Sequence, residues 1–208
     1  MRRVFDIGTT VLILLILVWG MWQAQRVMRG DFAGMQARYR IDTWIAGKAR
    51  WSVEQWLQAR DDLAGAARIT PDNPLVFDYL GMLYTLRGQR AWQNDVLRQA
   101  FFADALRFQQ DSLRLRPHNG AAWANLALSQ YALGTHGDSI ASINHAMQEG
   151  PNEIRVRQVV TELIIAMWSE SPEHLHVWLR ERYRVAAPWE HQELERLAVR
   201  YERRDLFK

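Results

Sequence analysis

The stretch PHNGAAWANLALSQYALG over residues 117–134 decides how this chain is read, because Pro117 is followed 34 residues later by Pro151. Within that interval Trp123, Leu126 and Ala127 share one helical stretch, Gly134 closes it, and Ala146 belongs to a second helix ended by Pro151. Proline stops a helix because its ring keeps the residue before it out of the helical conformation. The unit is therefore two antiparallel helices. Such a pair cannot bury its apolar faces alone, so neighbours must stack on it.

Counting outward finds those neighbours. Pro71 lies 46 residues before Pro117, one period plus 12. Between them Phe77, Leu80, Gly81, Tyr84 and Gly88 follow the order aromatic, Leu-Gly, aromatic, glycine. The helix from Ala105 runs to Pro117, so the extra 12 residues fall between Gly88 and Ala105, in a longer loop and an early helix start near Asn94 or Asp95. Ahead of Pro71, Ala59, Leu63 and Ala66 have second-helix spacing, and Ser52 with Gln55 forms a capping box that starts that helix. Its partner is expected over Phe32 to Arg50, with Gly47 at the small-residue position.

These residues resemble the tetratricopeptide-repeat family. The resemblance implies an all-α helical solenoid of about three repeats, 38–71, 74–117 with an insertion and 120–151, followed by capping helices over 152–208. Gly81 and Ala127 would let the paired helix approach, and Phe77 and Trp123 would be buried between repeats.

The N-terminus carries the other strong signal. Val4 to Trp22 is apolar apart from Asp6 and two threonines, and 19 helical residues at about 1.5 Å each match the hydrocarbon thickness of a bilayer. Bulky Trp22 precedes Ala24 where signal cleavage would need a small residue, so residues 1–29 read as an uncleaved transmembrane anchor. Trp19 and Trp22 suit the headgroup boundary. Arg2 and Arg3 favour a cytoplasmic N-terminus, whereas Arg26, Arg29, Arg38 and Arg40 oppose it. The short tail is held by its two arginines, which puts residues 30–208 in the periplasm of a bacterial inner-membrane protein.

Composition narrows the function. Cysteine is absent, which excludes a disulfide framework, thiolate catalysis and cysteine-ligated zinc. A net charge of +3 does not call for nucleic acid, although every basic residue except Lys48 and Lys208 is arginine. The residues after the anchor suffice for one compact domain. Past Pro151, Ile154 to Trp168 is apolar on more than one face and fits a helix packed between neighbours. Ser171 caps a helix with Pro172 in its first turn, and Pro188 opens a last helix bearing a stripe of Arg196, Arg200, Arg203 and Arg204. Such a stripe is usually a solvated face; the weaker alternative is contact with an anion, a membrane surface or the acidic polysaccharide itself.

A narrower resemblance rests on residues 56–66 with Pro71-Asp-Asn-Pro74, on Leu80-Gly-Met-Leu-Tyr84, on Leu113 to Pro117 leading into 122–128, and on 150–156 with Ala166-Met-Trp168. In that order they resemble the VpsP family of small polysaccharide-biosynthesis proteins. The resemblance departs at Asn152 and after Pro172, and it implies a place in exopolysaccharide production with no catalytic residues.

Chemistry by this chain has little to stand on. His174 and His176 are the only neighbouring histidines, and two residues apart on a helix point away from each other. Ser139 and Ser142 have no histidine and carboxylate pattern beside them, Asp61 and Asp62 diverge, and there is no glycine-rich phosphate loop. No cofactor or metal site is expected. What remains is a protein-binding groove, placed by the repeat register at Leu75, Asp78, Met82, Thr85 and Leu86 and at Ala121, Ala124, Leu128, Tyr131 and Ala132. Its apolar lining lacks the lysine and asparagine of a carboxylate clamp, with Asn125 the one partial match. Alternatively, these positions are core covered by terminal helices. The expected function is a membrane-anchored, non-catalytic scaffold that gathers protein partners for exopolysaccharide synthesis or export. The alternative is a structural subunit or assembly factor of another membrane complex.

Overall fold

A computed structural model describes residues 2–207, with side chains from Gly8 onward. The described residues form nine helices and no strand: α1 (Arg2–Ile45), α2 (Val53–Ile69), α3 (Pro74–Arg90), α4 (Asp95–Leu115), α5 (Gly120–Ala132), α6 (His136–Glu149), α7 (Ile154–Ala166), α8 (Glu173–Val185) and α9 (Pro188–Arg200). They group into two compact units, Met1–Leu83 and Tyr84–Lys208, divided within α3.

In the first unit α1 runs unbroken through residue 30 and packs on α2. The helix expected over Phe32 to Arg50 is thus the C-terminal part of α1. Gly30 and Gly34 do not interrupt it, because they are where α2 comes closest. A Cβ on Gly30 would lie 2.6 Å from the Thr70 side chain, and one on Gly34 would lie 3.4 Å from the Ala66 Cβ. Ala37, Ile41 and Trp44 continue this face and are buried. The small-residue position is therefore taken by Gly34 and Ala37, and not by Gly47. Gly47 follows the helix with φ +67°, a left-handed turn that suits glycine. Earlier in α1, Val11 to Val18, Trp19, Met21 and Trp22 are exposed, and α1 carries the described stretch that is long and apolar enough to cross a membrane.

The capping box is present at α2: the Gln55 backbone N–H donates to Ser52 Oγ, and the Ser52 backbone N–H donates to Gln55 Oε1. Buried Trp56, Ala59, Leu63 and Ala66 form its inner face. The Trp56 indole N–H donates to the Leu83 carbonyl at 2.9 Å, which fixes α2 against α3. Tyr79 of α3 donates its hydroxyl proton to the Asp42 carboxylate of α1 at 3.0 Å.

In the second unit α4 begins at Asp95 with Asn94 as its cap, as the spacing predicts. It ends at Leu115, two residues before Pro117. The α5 helix packs on α4, α6 and α7. Its approach to α6 is set at Gly120, where a Cβ would lie 2.6 Å from the Gly150 nitrogen. Gly134, at φ +81°, makes the turn between α5 and α6. The core joins Ala124 and Ala127 of α5, Ile143 and Ala146 of α6, Leu175 and Leu179 of α8, and Leu194 and Leu197 of α9 around α7. As its sequence predicts, α7 buries residues on several faces, Val156, Val159, Val160, Leu163, Ile164 and Ile165 among them.

Two packing expectations are corrected. Phe77 and Trp123 are half-buried, while Val76, Leu80 and Leu83 on α3 and Ala122, Ala124, Leu126 and Ala127 on α5 are among the buried residues. The reason at Trp123 is polar: its indole N–H reaches the Pro117 carbonyl at 2.8 Å and its ring stacks on His145. Ser171 does not cap α8. The cap position is Pro172, and the Ser171 backbone N–H instead closes the end of α7 on the Met167 carbonyl.

Candidate functional site

The expected groove positions divide by burial. On α3, Asp78 and Thr85 are buried, Met82 and Leu86 are half-buried, and Leu75 is exposed. On α5, Ala124 is fully buried, while Ala121, Leu128, Tyr131 and Ala132 are half-buried. Leu128 and Tyr131 pack against the core cluster that α7, α8 and α9 complete. Of the repeat positions, Leu80, Gly81, Leu126 and Ala127 are buried, Tyr84 is half-buried, and Pro71, Pro117 and Pro151 are exposed in turns.

The second unit also holds a cavity of about 580 Å³ between α7 and α9, with Arg182 of α8 in its wall. The first turns of α7 contribute Arg155 and Arg157 to it, and α9 contributes Trp189, Glu190 and Arg200. Arg155 donates to Asn125 Oδ1 at 3.1 Å, and burial lowers its guanidinium below the ordinary value. Arg182 is paired with Glu190. Burial lowers Arg182 as well, Glu190 opposes that shift, and the nearby charge of Arg157 adds to it. Glu162 lies further along α7 in the same lining. It accepts from Tyr201 at 2.9 Å and from Arg200 at 3.2 Å. Burial first and the Glu162 charge second push Tyr201 well above the ordinary phenol value, and the same causes raise Tyr131.

Sequence reading did not anticipate this cavity. It singled out Arg196, Arg200, Arg203 and Arg204, but Arg200 is held by Glu162, Arg196 lies 3.9 Å from Glu193, and Arg203 reaches Ser169. The missed signal is local. Arg155 and Arg157 occupy the first turns of α7, where the helix dipole favours acids and disfavours cations. His174 and His176 point to different partners: His174 contacts Asn144 Oδ1 at 2.8 Å, and His176 stacks on Trp168. Among the described residues no group of three His, Asp or Glu side chains could hold a metal.

Compared with known families and with curated proteins, the chain matches no family model and no curated relative.

Proposed function

We propose that this chain is a membrane-anchored, non-catalytic scaffold built on tetratricopeptide-type helix pairs, acting in bacterial exopolysaccharide biosynthesis or export. One observation carries the reading: a long helix with an exposed apolar N-terminal half continues without a break into a segment that packs on α2. A chain of that form has the means to hold partners at a membrane. The helix pairings support the repeat reading, since α5 packs on its own partner α6 and also on α4 and α7, as a stacked array requires. The pathway rests on the resemblance of residues 56–168 to the VpsP family. No cysteine is available as a nucleophile, and four of the six histidines, His136, His145, His176 and His191, are engaged with aromatic rings.

In this reading the chain is an inner-membrane protein with its repeats in the periplasm, and partner proteins bind at groove positions such as Met82 and Leu128. Both side chains are half-buried, so part of each is open to a partner. Met82→Glu and Leu128→Glu, made singly, should each weaken partner capture from detergent-solubilised membranes and reduce polysaccharide output. The cause is a carboxylate that must lose its water at an apolar contact. Circular dichroism must show each variant folded. Alanine at each histidine should leave output unchanged. A folded, membrane-bound histidine variant with no output would turn the reading towards an enzyme. Partners unrelated to polysaccharide synthesis would favour an assembly factor of another complex. The topology has its own check: the protein should resist carbonate extraction with Met1 retained, and a phosphatase reporter fused after Lys208 should be active.

A further inference from the structure

We propose that the cavity between α7 and α9 binds an acidic sugar, a pyranose bearing a carboxylate or phosphate, with Arg155 and Arg157 taking the acid group and the Trp189 indole facing the ring. The inference goes beyond the scaffold reading and does not depend on it, because the whole cavity lies within one unit and does not involve the groove positions.

Four arginines line the cavity, Arg155, Arg157, Arg182 and Arg200, against three glutamates, Glu162, Glu190 and Glu193, so the wall is cationic by one charge. Arg182 is taken by Glu190, and Arg200 by Glu162. Arg155 hydrogen-bonds only the neutral amide of Asn125, with the Glu162 charge acting on it without an ion pair, and Arg157 makes no ion pair among the described residues. Both stand at the start of α7, where the cap residue Glu153 makes no side-chain bond to the helix. Two cations beside the positive end of a helix dipole repel it, and an oxyanion bound there would relieve the repulsion and accept hydrogen bonds from both guanidinium forks. Buried donors are also left over, since Arg155 Nε and Arg182 Nε have no hydrogen-bond partner. A buried donor without an acceptor is costly and marks a place where an acceptor belongs.

The rest of the wall selects the kind of acid. Trp189 is 72% exposed, an unusual position for a large aromatic ring that lines a cavity, and it offers a flat apolar face to a pyranose. Glu193 and Gln158 are exposed acceptors on the same wall and suit a ligand with several hydroxyl donors. About 580 Å³ is room for one or two sugar units.

The test is calorimetric titration of the full chain in detergent micelles with tetragalacturonate, with glucose 1-phosphate, and with neutral maltotetraose. At least one acidic sugar should bind, more tightly than maltotetraose and less tightly as salt is raised. Arg157→Gln should weaken that binding by roughly tenfold or more, and Trp189→Ala should weaken it several-fold. Neither residue is buried, so both variants should melt like the parent. Should Arg157→Gln fail to fold, Arg157→Lys keeps the charge and loses the two-pronged geometry, and unchanged affinity there would overturn the proposal. So would equal binding of maltotetraose, or no binding of either acid. Unchanged binding in Trp189→Ala, with inorganic phosphate bound as tightly as glucose 1-phosphate, would overturn the assignment to a sugar.

Discussion

At Gly120 two backbones meet, and the contact has no room for a side chain. A methyl group there would stand 2.6 Å from the Gly150 nitrogen and 2.7 Å from its Cα, atoms that cannot move without shifting α6. Gly120→Ala should therefore destabilise the chain by about 1–3 kcal/mol, the usual cost of overpacking. Gly137, with nothing within 4 Å, is the matched control. Gly137→Ala should be neutral or stabilising by up to about 1 kcal/mol through helix propensity. Chemical denaturation of both variants checks the pair, and equal effects would show that close approach is not the cause. Trp123 makes a different demand. Because it is half-buried and its indole N–H is bonded to Pro117, Trp123→Ala should cost about 3 kcal/mol, the lower end for this change. Trp123→Phe, which keeps an aromatic ring to stack on His145, should cost about 1 kcal/mol for the lost bond.

Among the elements, α1 departs most from its sequence reading, because the anchor and the helix expected over Phe32 to Arg50 are one continuous helix. Gly30 and Gly34 lie within it and admit Thr70 and Ala66 of the α2 end. The link between α1 and α3 gives a pH prediction. Burial first, and then hydrogen bonding to Asp42, push the Tyr79 phenol from 10.0 up to about 12. The folded chain thus holds this proton more tightly than the unfolded one. The stabilisation is complete below about pH 10 and is lost as pH rises towards 12. Tyr79→Phe cannot ionise, so the stability difference between parent and variant should shrink between those limits. Urea unfolding at pH 9 and pH 11 measures it, and a constant difference would count against the Asp42 contact.

The whole chain is unevenly stabilised. In the unit from Tyr84 the core is centred on α7, which α5, α6, α8 and α9 all contact, whereas α8 and α9 bury only a few residues each. Amide hydrogen exchange should find the α7 amides among the slowest of this unit and those near Arg200 among the fastest. Exchange in α7 as fast as in α8 would mean that the core is organised otherwise. The α9 helix also closes the acidic-sugar cavity, so its fraying would open that site, and a bound oligosaccharide should slow exchange in α9.

The helical class, the start of α2 at its capping box, the start of α4 at Asn94 and the stops before Pro71, Pro117 and Pro151 are all local consequences of sequence. Each depends on residues within one or two turns of one another: a side chain that satisfies a free backbone N–H, or a ring that excludes a backbone conformation. The long apolar N-terminal helix is legible for the same reason, since length and hydropathy are summed along the chain. Tertiary structure alone decided that Gly34 and Ala37 take the close contact assigned to Gly47, that Trp123 is half-buried, and that Arg200 of the expected stripe is held by Glu162. It also brought Arg182 and Trp189 to a common cavity with Arg155 and Arg157, more than two dozen positions away in sequence. Such a site depends on how α7, α8 and α9 pack, and that packing is set by apolar contacts among Leu163, Leu175, Leu179 and Leu194 rather than by the charged residues it gathers.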